Sequence, residues 1–298
     1  MNYLNDFADA IRASGLPVPS EIIADGQLHR FSTSDRGSDD AGWYVLFGDA
    51  FGERPAGAFG CWRRGLNQRW FAAGNLSPPA HLNQIKRFRQ IDAQRLADKQ
   101  NRNEAALRRA QDLWGRAQPA EETYPYLVSK QIPPFCARQL WGKLLLPVVD
   151  TAGQLSSLQF IGPSGEKRFL KDGRKQGCFI PVHTPRNPLQ IVICEGFATG
   201  CTIAQAEPEN RVVAALDAGN LKPVALAIQA AFPRVDICIY GDDDRSTEGN
   251  VGRRKAIEAA RSLRDGIVCF PDFPKDAPLH LSDFNDLAIW EGGAYEKD

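Results

Sequence analysis

Apolar and polar positions follow two periodicities in the second half of the chain. Short, nearly continuous apolar runs alternate with stretches in which apolar residues recur at helical spacing. The apolar runs lie at 190–195, 211–216, 236–241 and 266–270, and the helical stretches at 197–206, 221–231 and 249–264. Continuous apolar runs of this length are typical of strands buried on both faces. Strands that alternate with helices predict a parallel sheet with right-handed crossovers, flanked by helices.

The first part of the chain has a different pattern. Residues 1–78 contain short alternating runs rich in glycine and aromatic residues, which predict a small β-rich module. Residues 81–117 have helical spacing, no proline and no glycine before Gly115, and predict one long helix with a narrow apolar stripe. Nine Lys or Arg against four Asp or Glu between 86 and 116 fit either a solvated connector or direct contact with DNA.

The segment between this helix and the alternating region has a mixed pattern. Residues 123–132 predict a short helix, and 144–162 predict a hairpin closed by 151–153. A basic stretch follows, with five Lys or Arg and two acids between Glu166 and Gln176. The changes of pattern predict four parts: a β-rich module at 1–78, a linker helix at 79–117, a small basic mixed α+β subdomain at 118–187 and an α/β domain at 188–298.

Composition narrows the class of protein. The 298 residues include 36 Lys+Arg and 36 Asp+Glu, so net charge gives no indication of a nucleic-acid partner. Seven cysteines form no C-x-x-C pair, and several lie in apolar runs, which predicts reduced core thiols rather than disulfides or a zinc site. No segment has the pattern of a signal peptide or the length of a membrane span. We therefore expect a cytoplasmic protein without zinc and without a membrane partner.

Acidic residues follow two of the predicted strands. Glu195 and Gly196 end the run QIVICEG, and Asp242 and Asp244 end the run DICIYGDDD. Ligands of open α/β sheets bind outside the carboxyl ends of the strands, and carboxylates are ligands that Mg²⁺ accepts together with substrate phosphates. The DDD run alone fits a solvated turn or a helix cap. Its combination with Glu-Gly on a separate strand favours a metal site for phosphoryl or nucleotidyl chemistry.

The order of these acids resembles the TOPRIM domain of bacterial-type primases, topoisomerases and some nucleases, over roughly residues 188–291. Three flanking segments resemble primases of phages and mobile elements, including satellite-phage alpha-type primases: CEGFATGCTIAQA (194–206), VVAALDAGNL (212–221) and SDFNDLA (282–288). Upstream segments resemble the small subdomain that precedes TOPRIM in the bacterial replicative primase (126–132, 144–162 and 166–177) and the N-terminal module of element-encoded primases (29–65).

The resemblance implies an α/β TOPRIM fold and a DNA primase, which makes short RNA primers on single-stranded DNA for a phage, plasmid or integrated element. Asp242 and Asp244 would then hold Mg²⁺ or Mn²⁺, and Glu195 would either ligate metal or accept a proton. Thr199 stands where the replicative primase carries a further acid. The candidates to replace that acid are Asp217, Asp283 and Asp286.

The resemblance also implies partners and the residues that bind them. The partners would be a single-stranded template, nucleoside triphosphates and a replicative helicase, supplied by another chain or by a further C-terminal region. Basic residues of the small subdomain would contact nucleotides, although they also fit a solvated surface: Lys167, Arg168, Lys171, Arg174 and Lys175.

In the N-terminal module, aromatic and arginine residues alternate, a combination that can hold single strands by stacking and backbone contacts. The candidates for template contact are Arg63, Arg64, Arg69 and Trp70, whereas Trp43 and Trp62 are expected in the core. Two other functions remain open at this point. A TOPRIM nuclease would use the same acids on DNA or RNA, and a non-catalytic accessory protein would bind single-stranded DNA only.

Overall fold

A computed structural model of the chain describes residues 3–33, 40–48, 54–73 and 78–295. Contacts divide the chain into two compact units, Met1–Asn101 and Arg102–Asp298. The boundary falls inside the predicted linker helix, and the four-part division remains a prediction. Among the described residues, no helix is both long enough and apolar enough to cross a membrane.

The first unit is built on an antiparallel sheet. Its strands β1 (His29–Phe31), β2 (Gly42–Phe47), β3 (Ala56–Cys61) and β4 (Leu66–Phe71) follow one another in space as they do in the chain. The sequence pattern predicted this β-rich character but missed helix α1 (Tyr3–Ala13), which buries Phe7 and Ile11 against the sheet. The four-residue spacing of those two side chains is a helical signal present in the sequence.

Helix α2 (Pro78–Arg116) is the predicted long helix and begins three residues earlier than expected. Proline is tolerated in the first turn because no intrahelical partner awaits its missing N–H. In the first unit the helix buries Phe88 and Ile91 beside Trp43. In the second unit it buries Ala110 beside Leu145. The narrow apolar stripe is therefore used for packing in both units.

The second unit begins with an antiparallel meander of strands β5 (Gln118–Pro119), β6 (Arg138–Leu140), β7 (Lys143–Val149), β8 (Leu155–Ile161) and β9 (Lys167–Phe169). Helix α3 (Pro125–Ser129) precedes β6, where a short helix was predicted. The predicted hairpin is also present: β7 pairs with β8, and Asp150 accepts hydrogen bonds from the backbone N–H groups of Ala152 and Gln154 in its turn.

A second sheet has the strand order β10-β12-β11-β13-β14. Its strands are β10 (Ile180–His183), β11 (Ile191–Cys194), β12 (Arg211–Ala214), β13 (Ile237–Tyr240) and β14 (Ile267–Cys269). Its helices are α4 (Phe197–Ala206), α5 (Leu221–Ala231), α6 (Val251–Arg261) and α7 (Phe284–Tyr295). The four strands and three helices predicted from 190 to 270 are all present: α4 and α5 have the predicted bounds, and the other elements are shorter by up to three residues at an end.

The period of two along β11 explains why its whole run is apolar. Val192 and Cys194 belong to the apolar cluster that includes α4, whereas Ile191 and Ile193 belong to the cluster that includes α5 and α6. Both faces of the strand are thus covered by helices, as the uninterrupted apolar pattern indicates.

Strand β10 corrects the prediction of a purely parallel sheet. It pairs antiparallel with β12, although its residues were assigned to the small basic subdomain. The reason is burial: Phe179 and Ile180 are fully covered, and the backbone of Phe179 pairs with Val149 of the meander through hydrogen bonds of 2.8 and 2.9 Å. This segment therefore joins the two sheets.

Candidate active site

The strands end in register at the edge where the acids were predicted. Cys194 lies opposite Ala214 on one side and Tyr240 on the other. Glu195 and the segment 241–244 consequently leave the sheet at the same edge. Because ligands of open α/β sheets bind at this edge, the fold places the acids where a substrate would enter.

The turn after β12 closes around Glu195. Leu216 has a φ of +82°, a conformation that residues other than glycine rarely adopt, and its N–H donates to the Glu195 carbonyl at 3.0 Å. Asp217 then caps the short 3₁₀ turn Ala218–Asn220, accepting from the Asn220 N–H at 3.1 Å. The Ala218 backbone N–H lowers the pKa of Glu195, against the larger effect of burial. This turn orients Glu195 through the backbone.

Glu195 and Asp242 carry the strongest electrostatic signal at this edge. Burial, followed by the charges of Asp244 and Asp217, raises the pKa of Glu195 to about 7. Burial raises the pKa of Asp242 to about 8, and the charges of Glu195, Asp283 and Asp244 add to that effect. The carboxylates therefore lie close enough to repel one another, and the positive charges around them are too few to cancel this repulsion.

The carboxylates of Asp244, Asp283 and Asp286 have different hydrogen-bond and ion-pair partners. The Asp244 carboxylate accepts from the Gly252 N–H at 2.9 Å, which places it at the start of α6. Burial and then Asp286 raise the pKa of Asp283, whose carboxylate accepts from the Asp286 N–H. Asp286 is committed elsewhere: its side chain lies 3.3 Å from the Lys130 ammonium and accepts from the Ser282 N–H. Three residues were candidates to replace the missing acid of the replicative primase. Asp217 and Asp283 act electrostatically on Glu195 and Asp242, respectively, whereas the Asp286 carboxylate contacts Lys130 and Ser282.

The fit of a divalent cation follows from the donor set. Nowhere in the described ranges are three or more His, Cys, Asp or Glu side chains arranged as a group that could hold a metal ion. Asp242 nevertheless has a buried Oδ1 atom without a hydrogen-bond partner, which is costly for a carboxylate oxygen. Mg²⁺ takes few protein carboxylates and completes its shell with water and phosphate oxygens. The residues therefore fit such an ion, and the three-carboxylate ligand set remains a prediction.

The basic segment reaches this edge through only some of its residues. Lys167 lowers the pKa of both Glu195 and Asp242, so its charge faces them. Lys175 lies 3.6 Å from Asp217, and its ammonium lies 4.2 Å from the centre of the Phe169 ring. The other three basic side chains differ: Arg174 pairs with Asp150 at 3.2 Å, and Arg168 and Lys171 are exposed.

Asn220 ties the basic segment to the sheet and was not assigned a role from the sequence. Its side-chain Nδ2 donates to the carbonyls of Lys175, Cys178 and Ala215 at 3.1, 2.9 and 2.8 Å. Its Oδ1 accepts from the Gly177 N–H at 3.0 Å. The Asn220 side chain is buried, so these hydrogen bonds are shielded from water. The signal was the asparagine of the AGNL motif, a polar residue set between apolar ones.

A second asparagine makes a similar link. Asn285, in the segment DFNDL, is buried and donates to the Lys130 carbonyl at 2.8 Å and the Thr202 hydroxyl at 2.9 Å. Together with the ion pair between Lys130 and Asp286, it fastens α7 to the segment after α3 and to α4.

The template candidates of the first unit are mostly engaged in its own packing. Trp70 is half-buried, with its ring 5.2 Å from that of Phe7. Arg64 donates to the Gly15 carbonyl at 2.9 Å. Arg69 lies 3.5 Å from Asp92 and over the Phe88 ring.

Arg63 is exposed, and all four template contacts remain predictions. Trp43 is fully buried, as expected for a core residue, and Trp62 packs against the same cluster. Arg95 packs against both tryptophans, with its guanidinium 4.0 Å from the Trp43 ring centre and 5.0 Å from that of Trp62.

Comparison with known proteins agrees with this geometry. Residues 190–294 match the family model of the Toprim domain, which confirms the TOPRIM resemblance. Two relatives from Escherichia coli, each named DNA primase TraC, are 35% identical over 298 residues and 33% identical over 302 residues. The alignments cover 92% and 93% of this chain but only 27% and 20% of those proteins. The chain thus spans about a quarter of the length of the relatives it matches and is homologous to that part of them.

Among solved structures, the primase fragment of the bacteriophage T7 primase-helicase protein is 16% identical. The superposition has a TM-score of 0.44 and covers 90% of this chain and 97% of that one.

Proposed function

We propose that the chain is a DNA primase, a nucleotidyltransferase that builds short RNA primers on single-stranded DNA. The observation that carries the proposal is the pair of buried, mutually repelling carboxylates, Glu195 and Asp242, at the carboxyl edge of a sheet that matches the Toprim domain. Homology to proteins named DNA primase TraC supports the reaction class.

The reaction joins the 3′-hydroxyl of one nucleotide to the α-phosphate of a nucleoside triphosphate and releases pyrophosphate. Asp242 and Asp244 would hold a divalent cation, Mg²⁺ or Mn²⁺, together with Glu195 where its charge is needed. When bound, the ion supplies positive charge that the site itself lacks and orients the phosphate oxygens. The unpartnered Oδ1 of Asp242 is the side-chain atom best placed to meet it.

Side chains of the protein would accept the proton and bind the triphosphate. Glu195 has a pKa of about 7, so it can accept the proton of the attacking hydroxyl near neutral pH. Lys167 faces the acids. When a triphosphate binds, the Lys167 ammonium would pair with the phosphate oxygens instead of the carboxylates. Lys175, held by Asn220, would give a second contact to the triphosphate.

The expected partners follow from the same proposal: single-stranded DNA, nucleoside triphosphates and a replicative helicase. Of these, the triphosphate site has the clearest support in the chain, because Lys167 and Lys175 lie beside the acids. The helicase remains a prediction.

The test incubates the chain with end-labelled single-stranded DNA and Mg²⁺ or Mn²⁺, with and without nucleoside triphosphates carrying a second label. New labelled oligonucleotides that depend on the template support a primase. Shortening of the DNA without nucleotides would replace the proposal with a nuclease. Binding of DNA with neither reaction would replace it with an accessory role.

A further inference from the structure

A basic groove lies outside the candidate active site, on the surface formed by α5 and α6. It is an open groove with a volume of about 640 Å³, and its lining residues run from Gly249 and Asn250 to Arg261 and Ser262. Both helices begin after strands that end at the acidic edge, so one end of the groove lies near that edge. Asn250 connects the two features, because its Oδ1 accepts from the Asp244 N–H at 3.0 Å.

The charges along the groove are predominantly positive. Four cations line it, Lys222, Arg253, Arg254 and Arg261, against the single acid Glu258. The Glu258 carboxylate is already engaged, at 3.3 Å from the Lys222 ammonium and 2.7 Å from that of Lys255. Because the whole chain has no net charge, this excess is a local property of the groove.

Two of the four cations are available to a ligand. Arg253 pairs with Asp243 at 3.2 Å and lies over the Phe270 ring. Arg254 and Arg261 are exposed, and among the described residues neither side chain forms an ion pair. They are seven residues apart on α6, which is two helical turns or about 10 Å.

We propose that this groove binds the phosphodiester backbone of single-stranded DNA, with Arg254 and Arg261 as its phosphate contacts. The proposal rests on the proposed function for its choice of ligand. Charge and the position of the groove beside the acidic edge support a strand that passes the site and continues along α6. The arginine guanidinium groups along the groove suit contacts to a phosphate backbone.

The test is the salt dependence of binding to an oligo(dT) strand by the full chain, without nucleotides. The double variant Arg254→Gln and Arg261→Gln keeps the helix, because glutamine is a good helix former. Each lost phosphate contact on a single strand lowers the slope of log affinity against log salt by about 0.7, so we expect a decrease of about 1.4. The matched control is Arg186→Gln with Arg234→Gln, two exposed arginines in loops at the opposite edge of the sheet.

A decrease confined to the groove variant supports the proposal, provided that its thermal unfolding matches wild type. An unchanged slope, or the same decrease in both double variants, overturns it. This outcome is separate from the proposed function: primer synthesis with an unchanged slope rejects the groove alone. A lowered slope in a protein that makes no primers rejects the primase alone.

Discussion

Replacing Asn220 with alanine removes a buried amide that joins the segment 175–178 to Ala215, after the end of β12. Its side chain accepts from the Gly177 N–H and donates to the carbonyls of Lys175, Cys178 and Ala215. Alanine leaves all four backbone groups without this partner, in a place from which water is excluded. The segment 175–178 begins with Lys175, the last of the basic residues, and Ala215 leads into the turn around Glu195.

The expected cost follows from the number of bonds. A hydrogen bond contributes about 1 kcal/mol net, and the three carbonyls share two Nδ2 hydrogens, so the loss lowers the free energy of unfolding by about 3 kcal/mol. Asn210→Ala is the matched control, because Asn210 is equally buried but donates only to the Glu207 carboxylate, at 2.7 Å. Its loss should cost about 1 kcal/mol.

Urea unfolding measures both variants, and steady-state kinetics at a temperature where each is folded measures function. We expect Asn220→Ala to raise KM for nucleoside triphosphates several-fold, because Lys175 is no longer held beside Asp217. Affinity for the template strand in the absence of nucleotide should stay within about twofold, since electrostatic backbone contacts set it. Asn210→Ala should change neither constant.

Two results would refute this reasoning. Equal destabilisation by Asn220→Ala and Asn210→Ala would mean that the four bonds do not act together. A large destabilisation with an unchanged KM would mean that Asn220 supports the fold but does not position the basic segment.

Three further predictions address charge and packing. Without divalent metal, Asp242 should lower the free energy of unfolding by up to about 1.4 kcal/mol per pH unit between about pH 5 and 8, because it has a folded pKa of about 8 and an ordinary value of 3.8 and therefore ionises on unfolding. Glu195, with a folded pKa of about 7, adds a fall of similar size below about pH 7. Asp242→Asn should flatten this dependence in urea titrations with EDTA, and parallel curves would contradict the burial of that carboxylate. Lys167→Gln should raise KM for nucleoside triphosphates about tenfold and exposed Arg168→Gln less than twofold, a contrast that equal effects would disprove. A fragment from Arg102 should unfold cooperatively, whereas one from Gln118 should unfold at lower urea, because it lacks the part of α2 that covers β7 and β8; equal midpoints would show that this packing is dispensable.

The sequence predicted best those elements whose structure follows from the local pattern of apolar residues or from the geometry of a parallel sheet. The strands and helices from 190 to 270 were predictable because both faces of β11 and β12 are buried and the helices have ordinary lengths. The position of Glu195 and Asp242 at one edge followed from the register of a parallel sheet. These features depend on local pattern and topology alone.

What could not be predicted depends on contacts between distant segments. β10 reads as part of the basic segment, and only its pairing with β12 and with Val149 assigns it to the second sheet. Asn220 is a single polar residue whose four partners come from segments up to 45 residues away. The commitment of Asp286 to Lys130 likewise required the fold, because 156 residues separate them.

The central claim is that Asp242 belongs to the reaction centre, and its neighbour Asp243 provides the sharpest comparison. Asp243 belongs to the same DDD run, but its carboxylate binds Asn250 and Arg253 rather than facing Glu195. The measurement is incorporation of α-labelled nucleoside triphosphate on a single-stranded template by wild type, Asp242→Asn and Asp243→Asn. We predict labelled primers from wild type and Asp243→Asn and none from Asp242→Asn. Synthesis by Asp242→Asn at the wild-type rate would contradict the account.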